Sequence, residues 1–438
     1  MDASPIAPRQ LHAAALQPAN ASQRQSAPDA ARRYKFMFAP LTWVLAHTSR
    51  CLEIAKELRA RGHEVIFLGE DPDHPRSKLQ LVREEGFRIV RAREPFQPYG
   101  WDRFEKYGFL ISGWDLLRLR NWVPLQEIIE DQVRALECER PHLIIGDASV
   151  SASTAAYIAG IPAAGIMNGY ASHFLTSSCL YHPALQVYDR IHLAPIRRRA
   201  FHTFGKQPIN ALRLLRSIPL VSPDLEGLYE NPSYFPHYHT VGPIFAEHPS
   251  PLPKWYGELD DGKTNVYITM GSTGFLDAFL RRTYDALSKL PYRFVVTTAN
   301  QVMEETARMA PANFRLCTYA PGSKLLEKCR AMIFHGGNGS MYQALAAGVP
   351  MLALPSHQEQ GLITNFAVDR GYCIRMHARW FRTNALMKNL RELIDNPKYR
   401  EAAQGYSGPV RTTNGAVNAA EFFERLACEA NPAGHALV

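Results

Sequence analysis

Residues 331–360, AMIFHGGNGSMYQALAAGVPMLALPSHQEQ, alternate apolar runs with glycines in an order that builds a ligand site. Residues 331–334 read as a short buried strand and 335–339 as a loop with three glycines in five positions. Residues 340–347 then read as an Ala/Leu-rich helix, stopped by Gly348 and Pro350. Residues 351–355 give the next strand. Strand, glycine loop, helix and strand form a parallel crossover, and in open α/β sheets ligands bind beyond the carboxyl ends of such strands. Gly336, Gly337 and Gly339 permit close backbone approach, and the free amides at the helix start form an anion seat with the helix dipole behind them. A phosphate or diphosphate is the natural occupant. Asn338 stands within the loop, Ser340 can add a hydroxyl donor, and His335 can donate a ring proton to a phosphate oxygen. Glu359 and Gln360 follow the second strand in a polar loop, and a carboxylate beside an amide suits a neighbouring pair of sugar hydroxyls. The stretch therefore predicts a site for a sugar joined to a diphosphate.

Outward from this stretch, 438 residues are long for one core and comfortable for two, and 46% hydrophobic with 21% charged residues is the composition of a soluble globular chain. No apolar run reaches the length of a membrane span, and the first residues lack the apolar block of a secretory signal, which predicts a cytoplasmic protein. Seven cysteines lie scattered without CxxC spacing and read as free thiols rather than a disulfide framework or a zinc site. The net charge of +8 suits an anionic substrate. No recognisable nucleic-acid motif accompanies it, so no nucleic-acid partner is expected. The run Arg197, Arg198, Arg199 is a solvated face or a peripheral contact with anionic lipid headgroups.

Along the chain, residues 1–33 are rich in Ala, Gln, Ser and Pro and read as a disordered tail. Residues 34–40 (YKFMFAP) form a strand, 50–61 a helix closed by Gly62, and 63–69 (HEVIFLG) the next strand, the alternation of a doubly wound sheet. The first turn has no GxGxxG, which lowers a dinucleotide-binding reading. Residues 94–122 are crowded with aromatics and irregular; they are core packing or the lining of an apolar acceptor pocket. A helix at 125–138 precedes a strand that ends at Asp147. Residues 217–256 are proline-rich and irregular. A second alternation then runs through strand 265–270, turn 271–273, helix 275–290 and strand 292–297, with further helices at 386–394 and 415–429. Asp71 and Asp73 make a DxD-like string that reads as a solvated turn, so no metal is expected.

The 331–360 stretch resembles the donor-binding box of the UDP-glycosyltransferase-like superfamily, through His335, Gly336, Gly337, Gly339, Ser340, Gly348, Val349, Pro350, Pro355, Glu359 and Gln360 in register. LTWVLAHTSRCLEIAKELRARGHEV resembles the amino-terminal signature of the same superfamily. The resemblance implies a GT-B architecture, an α/β fold of two Rossmann-like doubly wound domains facing an interdomain cleft. It implies a tail at 1–33, an acceptor domain at 34–240, a linker at 241–264 marked by VGPIF, a nucleotide-sugar domain at 265–410, and a closing segment at 411–438 whose helix packs back towards the first domain. On the matching positions His47 is the catalytic base and Asp147 its partner. Taken alone, His47 reads as a capping or loop histidine. Gly271, Ser272 and Thr273 form a second diphosphate turn, Tyr319 stacks on the base with Ala320 beside it, and Gln343 faces the ribose. Two positions depart from the pattern: Gln343 replaces the usual glutamate, which raises a dTDP-sugar against a UDP-sugar, and Arg50 follows Ala46, His47, Thr48 and Ser49 where the family commonly continues Gly-His-Val-Asn-Pro. The implied activity is metal-independent, inverting transfer of a sugar to a hydroxyl of an apolar or aromatic small molecule or a lipid. The nucleotide sugar is a co-substrate, and no cofactor is expected. A nucleotide-sugar epimerase or hydrolase of the same fold, or a non-catalytic nucleotide-binding partner of another enzyme, are the alternatives. The sequence carries no signal for oligomeric state.

Overall fold

The computed structural model describes residues 32–74, 77–94, 125–147, 149–171, 194–207, 209, 211–229, 235–247, 250–271, 274–356 and 358–431. The expected tail, the aromatic stretch after Glu94, and Ser272 and Thr273 lie outside the described residues, save for Arg32 and Arg33 at the end of the tail. Residues 33–437 form a single compact unit.

Two parallel sheets organise this unit. The first comprises β1 (Lys35–Pro40), β2 (Glu64–Gly69), β3 (Arg88–Arg91), β4 (Leu143–Asp147), β5 (Ala163–Ile166), β6 (Leu220–Ser222) and β7 (Tyr238–Thr240). Its strand order is β3-β2-β1-β4-β5-β6-β7. The second comprises β8 (Thr264–Thr269), β9 (Tyr292–Thr297), β10 (Phe314–Cys317), β11 (Ala331–Phe334), β12 (Met351–Ala353) and β13 (Cys373–Arg375), in the order β10-β9-β8-β11-β12-β13. Within each sheet the chain starts at an inner strand, runs to one edge, returns, and runs to the other. This is the doubly wound Rossmann order, whose ligand crevice lies where the direction reverses. That point falls between β1 and β4 in the first sheet, where Pro40 pairs with Asp147, and between β8 and β11 in the second, where Thr269 pairs with Phe334. The molecule has the two-domain GT-B fold.

The strands are apolar on both faces because helices cover both. Phe36, Met37 and Phe38 are fully buried on β1, as are Phe294, Val295 and Val296 on β9. The sequence reading missed β6 and β7 inside the proline-rich 217–256 stretch. Each has three residues, too few to show a period.

Four helices position the site: α1 (Leu45–Ala60), α2 (Asn338–Ala346), α3 (Gln358–Asp369) and α4 (Gly415–Ala430). α1 begins five residues earlier than its apolar periodicity indicates, because Val44 N donates to Leu41 O in a turn that starts the helix at once. His47 therefore lies in the first turn of a helix rather than in a loop. The helix ends at Gly62, whose φ of +91° no other residue adopts without strain.

α4 is capped by Asn414, whose side chain accepts from Val417 N at 3.2 Å. It packs against the first sheet's core through Ala419, Ala420, Phe423 and Ala427. Burying Phe423 stabilises this closure by about 2–3 kcal/mol. Arg61 and His63 add contacts to Glu421 and Glu424. The helix approaches the VGP turn so closely that a Cβ on Gly415 would lie 2.3 Å from Gly242 O.

Asp71 and Asp73 form an exposed turn in which Asp73 N donates to Asp71 Oδ1 and Asp73 pairs with Arg83. Arg198 and Arg199 are exposed on the helix Ala194–Thr203. Among the described residues, no helix is long and apolar enough to cross a membrane.

Candidate active site

At the reversal point of the first sheet, the register that sets Pro40 beside Asp147 also brings α1 over the carboxyl end of β4. Leu41 N donates to Asp147 O at 3.1 Å, which fixes the loop leading into α1. Asp147 is fully buried, and its carboxylate is held on three sides. His47 Nδ1 lies 2.8 Å from Oδ1, Arg50 donates to both oxygens, and Cys51 Sγ lies 3.7 Å from Oδ2. Burial alone would raise the carboxyl pKa. The charge of Arg50 and then His47 overcomes it and holds Asp147 at about 2.

Arg50 is the residue the sequence marked as a departure, and the structure gives it a place. Its guanidinium is buried, donates to Asn168 Oδ1 as well as to Asp147, and brings Nη2 to 2.8 Å from His47 Nδ1. A ring nitrogen has one site in this plane, so Nδ1 serves Asp147 or Arg50 but not both. Donating to Asp147 leaves Nε2 with its lone pair free to take a proton; accepting from Arg50 puts the ring proton on Nε2.

Glu94 closes the same end of the sheet. It is buried after β3, and its carboxylate accepts from Thr42 Oγ1 at 2.6 Å, Thr42 N at 3.1 Å and Glu70 N at 3.1 Å. Burial pushes its pKa up to about 7 against the opposing pull of those bonds. Thr42 belongs to the loop that carries His47.

At the reversal point of the second sheet, the site is built from missing side chains. His335 follows β11 and Gly271 follows β8. A Cβ on Gly271 would lie 2.6 Å from His335 Cε1, and one on Gly337 would lie 2.3 Å from His335 Nε2. The imidazole is thus seated between two turns that only glycine can form. Gly271 and Gly336 also have positive φ, +56° and +95°. A Cβ on Gly336 would meet Thr364 at 2.8 Å and Gln360 at 3.2 Å, so the first turn of α3 abuts the glycine loop. Asn338, Gly339 and Ser340 form the first turn of α2, where helix geometry leaves the amides without intrahelical partners.

The remaining predicted residues divide. Tyr319 is 39% exposed and Ala320 is buried beside it. Gln343 Nε2 approaches Glu247 Oε1 at 3.3 Å and Ala246 O at 3.4 Å. A carboxylate from the segment between the sheets therefore stands beside the amide. Burial raises the Glu247 pKa, and Ser323 N donates to it at 3.3 Å. Gln360 is buried, and its carbonyl oxygen accepts from Ser356 N at 2.9 Å and Ser356 Oγ at 3.1 Å, closing the loop after β12. Glu359 is exposed, and its Oε1 accepts from Tyr170 OH at 2.5 Å.

Tyr170 reveals an element the sequence reading missed. Asn168, Gly169 and Tyr170 follow β5, and each binds a different part of the site. Asn168 accepts from Arg50. Gly169 N donates to the buried Asp224 at 2.7 Å, and the other oxygen of Asp224 accepts from Asn338 Nδ2 and Tyr342 OH, both at 2.9 Å. Tyr170 reaches Glu359. Gly169 is required here because a Cβ would sit 2.4 Å from the Tyr229 ring. Three consecutive residues thus tie the His47–Asp147 pair to the glycine loop and to α3. The visible signal was a polar-Gly-aromatic triplet at the end of a buried strand; its partners, up to 189 residues away, had none.

With this geometry in hand, comparison with known proteins is direct. Residues 281–410 match the C-terminal domain family described as erythromycin biosynthesis protein CIII-like. The PGL/p-HBAD biosynthesis rhamnosyltransferase of Mycobacterium bovis (strain BCG / Pasteur 1173P2) is 25% identical over 399 residues, spanning 85% of this chain and 84% of the relative. Among solved structures, spinosyn forosaminyltransferase SpnP superposes with a TM-score of 0.69 at 20% identity, covering 90% of this chain and 100% of that one. Spinosyn rhamnosyltransferase SpnG complexed with thymidine diphosphate superposes with 0.66 at 17% identity, covering 89% and 100%. Fold and sequence kinship define a GT-B protein of the glycosyltransferase class. The chain resembles the UDP-glycosyltransferase-like superfamily in its donor box and is similar to glycosyltransferases over most of its length.

Proposed function

We propose that the protein transfers a sugar from a nucleotide diphosphate sugar to a hydroxyl of an apolar or aromatic small molecule or a lipid, with inversion at the anomeric carbon. The observation that carries this reading is that the His47–Asp147 pair and the His335 glycine seat occupy the reversal points of the two sheets and are joined through residues 168–170.

In this mechanism His47, donating Nδ1–H to Asp147, offers Nε2 to the acceptor hydroxyl. As oxygen attacks the anomeric carbon, the proton passes to Nε2, and the buried carboxylate stabilises the imidazolium. A single displacement of this kind inverts the carbon. The leaving diphosphate takes the bond pair and gathers negative charge on the amides of α2, with His335 beside them. Because that seat supplies the positive field, the transfer is proposed to need no divalent ion, and loss of activity in EDTA restored by magnesium would break that part. The donor is a UDP- or dTDP-sugar. The relative from Mycobacterium bovis is named as a rhamnosyltransferase, and SpnG is solved with thymidine diphosphate, which supports testing the dTDP series first.

The test is mass-spectrometric detection of nucleotide diphosphate from UDP- and dTDP-sugars, with and without phenolic, polyketide, sterol and lipid acceptors. The expected result is release that rises with an acceptor, together with a product heavier by one sugar. Turnover without acceptor would instead identify a hydrolase or epimerase. Binding without turnover would identify a nucleotide-binding partner.

A further inference from the structure

Glu359 stands in the first turn of α3, which the contact of Gly336 with Gln360 and Thr364 sets against the glycine loop. A sugar whose diphosphate rests on the amides of α2 must pass this turn. Two groups there could read its hydroxyls, and both are partly committed. Gln360 has given its carbonyl oxygen to Ser356, and Glu359 has given Oε1 to Tyr170. Glu359 therefore meets the sugar with one acceptor position of Oε1 already filled and its carboxylate turned towards Tyr170.

Tyr170 comes from the first sheet, in the half of the molecule that holds His47. Its ring is buried against Tyr229, and the backbone on either side is fixed, by Gly169 N to Asp224 and by Ala171 N to Asn168 O. Burial, then the neighbouring Glu359 carboxylate, keeps its hydroxyl pKa well above the usual tyrosine value, so the phenol remains a donor across the working range. A protonated, immobile donor opposite a carboxylate sets both the direction of that carboxylate and its remaining capacity.

Resting on the transferase reading above, we propose that Tyr170 is a donor-specificity residue supplied from the acceptor half. By filling one acceptor position of Glu359 and fixing the direction of its carboxylate, it makes the site indifferent to one hydroxyl of the transferred sugar that a free carboxylate would turn to bind. Selectivity for the donor is then set partly by a residue outside the donor box, through a contact that exists only when the two halves meet.

The test compares UDP-glucose and dTDP-glucose with their 2-, 3-, 4- and 6-monodeoxy analogues. Binding is read by calorimetry and acceptor-dependent transfer by mass spectrometry, in the full-length protein and in Tyr170→Phe. The phenylalanine frees that acceptor position and lets the carboxylate turn. For one hydroxyl position, the preference for parent over deoxy donor should rise about tenfold, the value of one bond to a charged group. The other positions should not change. In a Glu359→Ala background, where the competed group is gone, Tyr170→Phe should leave all ratios unaltered. A purely structural role would lower affinity for parent and analogue alike. Unchanged ratios in a variant that binds nucleotide sugar would overturn the proposal and leave the transferase reading intact. If the wild-type protein binds neither these donors nor any other UDP- or dTDP-sugar, both fall; if it binds another sugar, the deoxy series is drawn from that one. Should Tyr170→Phe fail to fold, Tyr170→Leu, which also removes the donor, is read in the same way.

Discussion

The two reversal points occupy the same place in two sheets of the same winding, yet they are built from opposite materials. Beyond β1 and β4, the first sheet buries charge: Asp147 and Arg50 are enclosed together, with His47 at the edge and Glu94 closing the neighbouring strands. Beyond β8 and β11, the second sheet removes side chains: Gly271 and Gly337 enclose one imidazole, and Gly336 lets the first turn of α3 close on the loop before α2. On the function proposed above, the difference follows from what each does. Moving a proton requires a side chain whose orientation is fixed by partners that do not move. Holding a diphosphate requires backbone donors that a large anion can approach. One winding supplies both, because the reversal point leaves an open crevice and does not prescribe its lining.

The comparison breaks most visibly at His47. Replacing His47 by Ala should lower turnover by roughly two to four orders of magnitude, with nucleotide-sugar affinity retained because the second seat is untouched. Steady-state rates with calorimetric binding check this; loss of both together would mean that the sites are not separable. Next is Arg50. Arg50→Met removes the partner of a buried carboxylate and should destabilise the fold by about 3–5 kcal/mol by urea denaturation, an effect that Asp147→Asn in the same chain should largely relieve. If Arg50→Met alone folds as stably as the parent, the charge of Asp147 is not compensated in the way its surroundings indicate.

The second site should respond to volume instead. Gly337→Ala puts a Cβ into the imidazole of His335 and should cost about 1–3 kcal/mol of nucleotide binding, roughly a fivefold or greater loss, while the urea midpoint moves little. The asymmetry also explains what was legible in the sequence. Glycines at a strand end are visible because their spacing is local, so the 331–360 crossover, its helix and both of its strands could be read directly, whereas Glu359 and Gln360, read as a polar loop, open α3. Buried charge pairs are not local. Arg50 looked like an irregularity in the first crossover because its partners, Asp147 and Asn168, lie 97 and 118 residues away. Asn168, Gly169, Tyr170 and Asp224 were missed for the same reason, and β6 and β7 because three residues carry no period. The fold was readable from repeated apolar alternation, whereas the residues that join the two halves become visible only when both sheets are present.

The finest distinction concerns Glu94, a buried acid of the first site that, among the described residues, is held by Thr42 and Glu70 N rather than by a cation. Its pKa of about 7 in the folded protein lies above the 4.5 of a free glutamate, so between these values the folded state binds more protons than the unfolded one. The contribution of Glu94 to stability is therefore complete below about pH 4.5 and is lost as pH rises through 7, with an upper limit of about 3 kcal/mol from the size of the shift. Glu94→Gln removes the titration but not the packing. One of its polar atoms becomes a donor facing either Thr42 N or both the Thr42 hydroxyl and Glu70 N, so either orientation meets a backbone N–H and costs back about 1–3 kcal/mol. The net change at pH 8 should therefore be small, about 1 kcal/mol in either direction. The slope is the sharper readout: urea midpoints of the parent should fall between pH 5 and pH 8 more steeply than those of Glu94→Gln. Because Thr42 lies in the loop that delivers His47, the same pH interval should alter the parent's turnover more than the variant's. Parallel midpoint curves would show that the carboxyl is already ionised at pH 5 and that its buried surroundings tolerate the charge. In that event the first site would hold a second buried anion, uncompensated by any ion pair of its own, and the contrast with the glycine-built seat would be larger still.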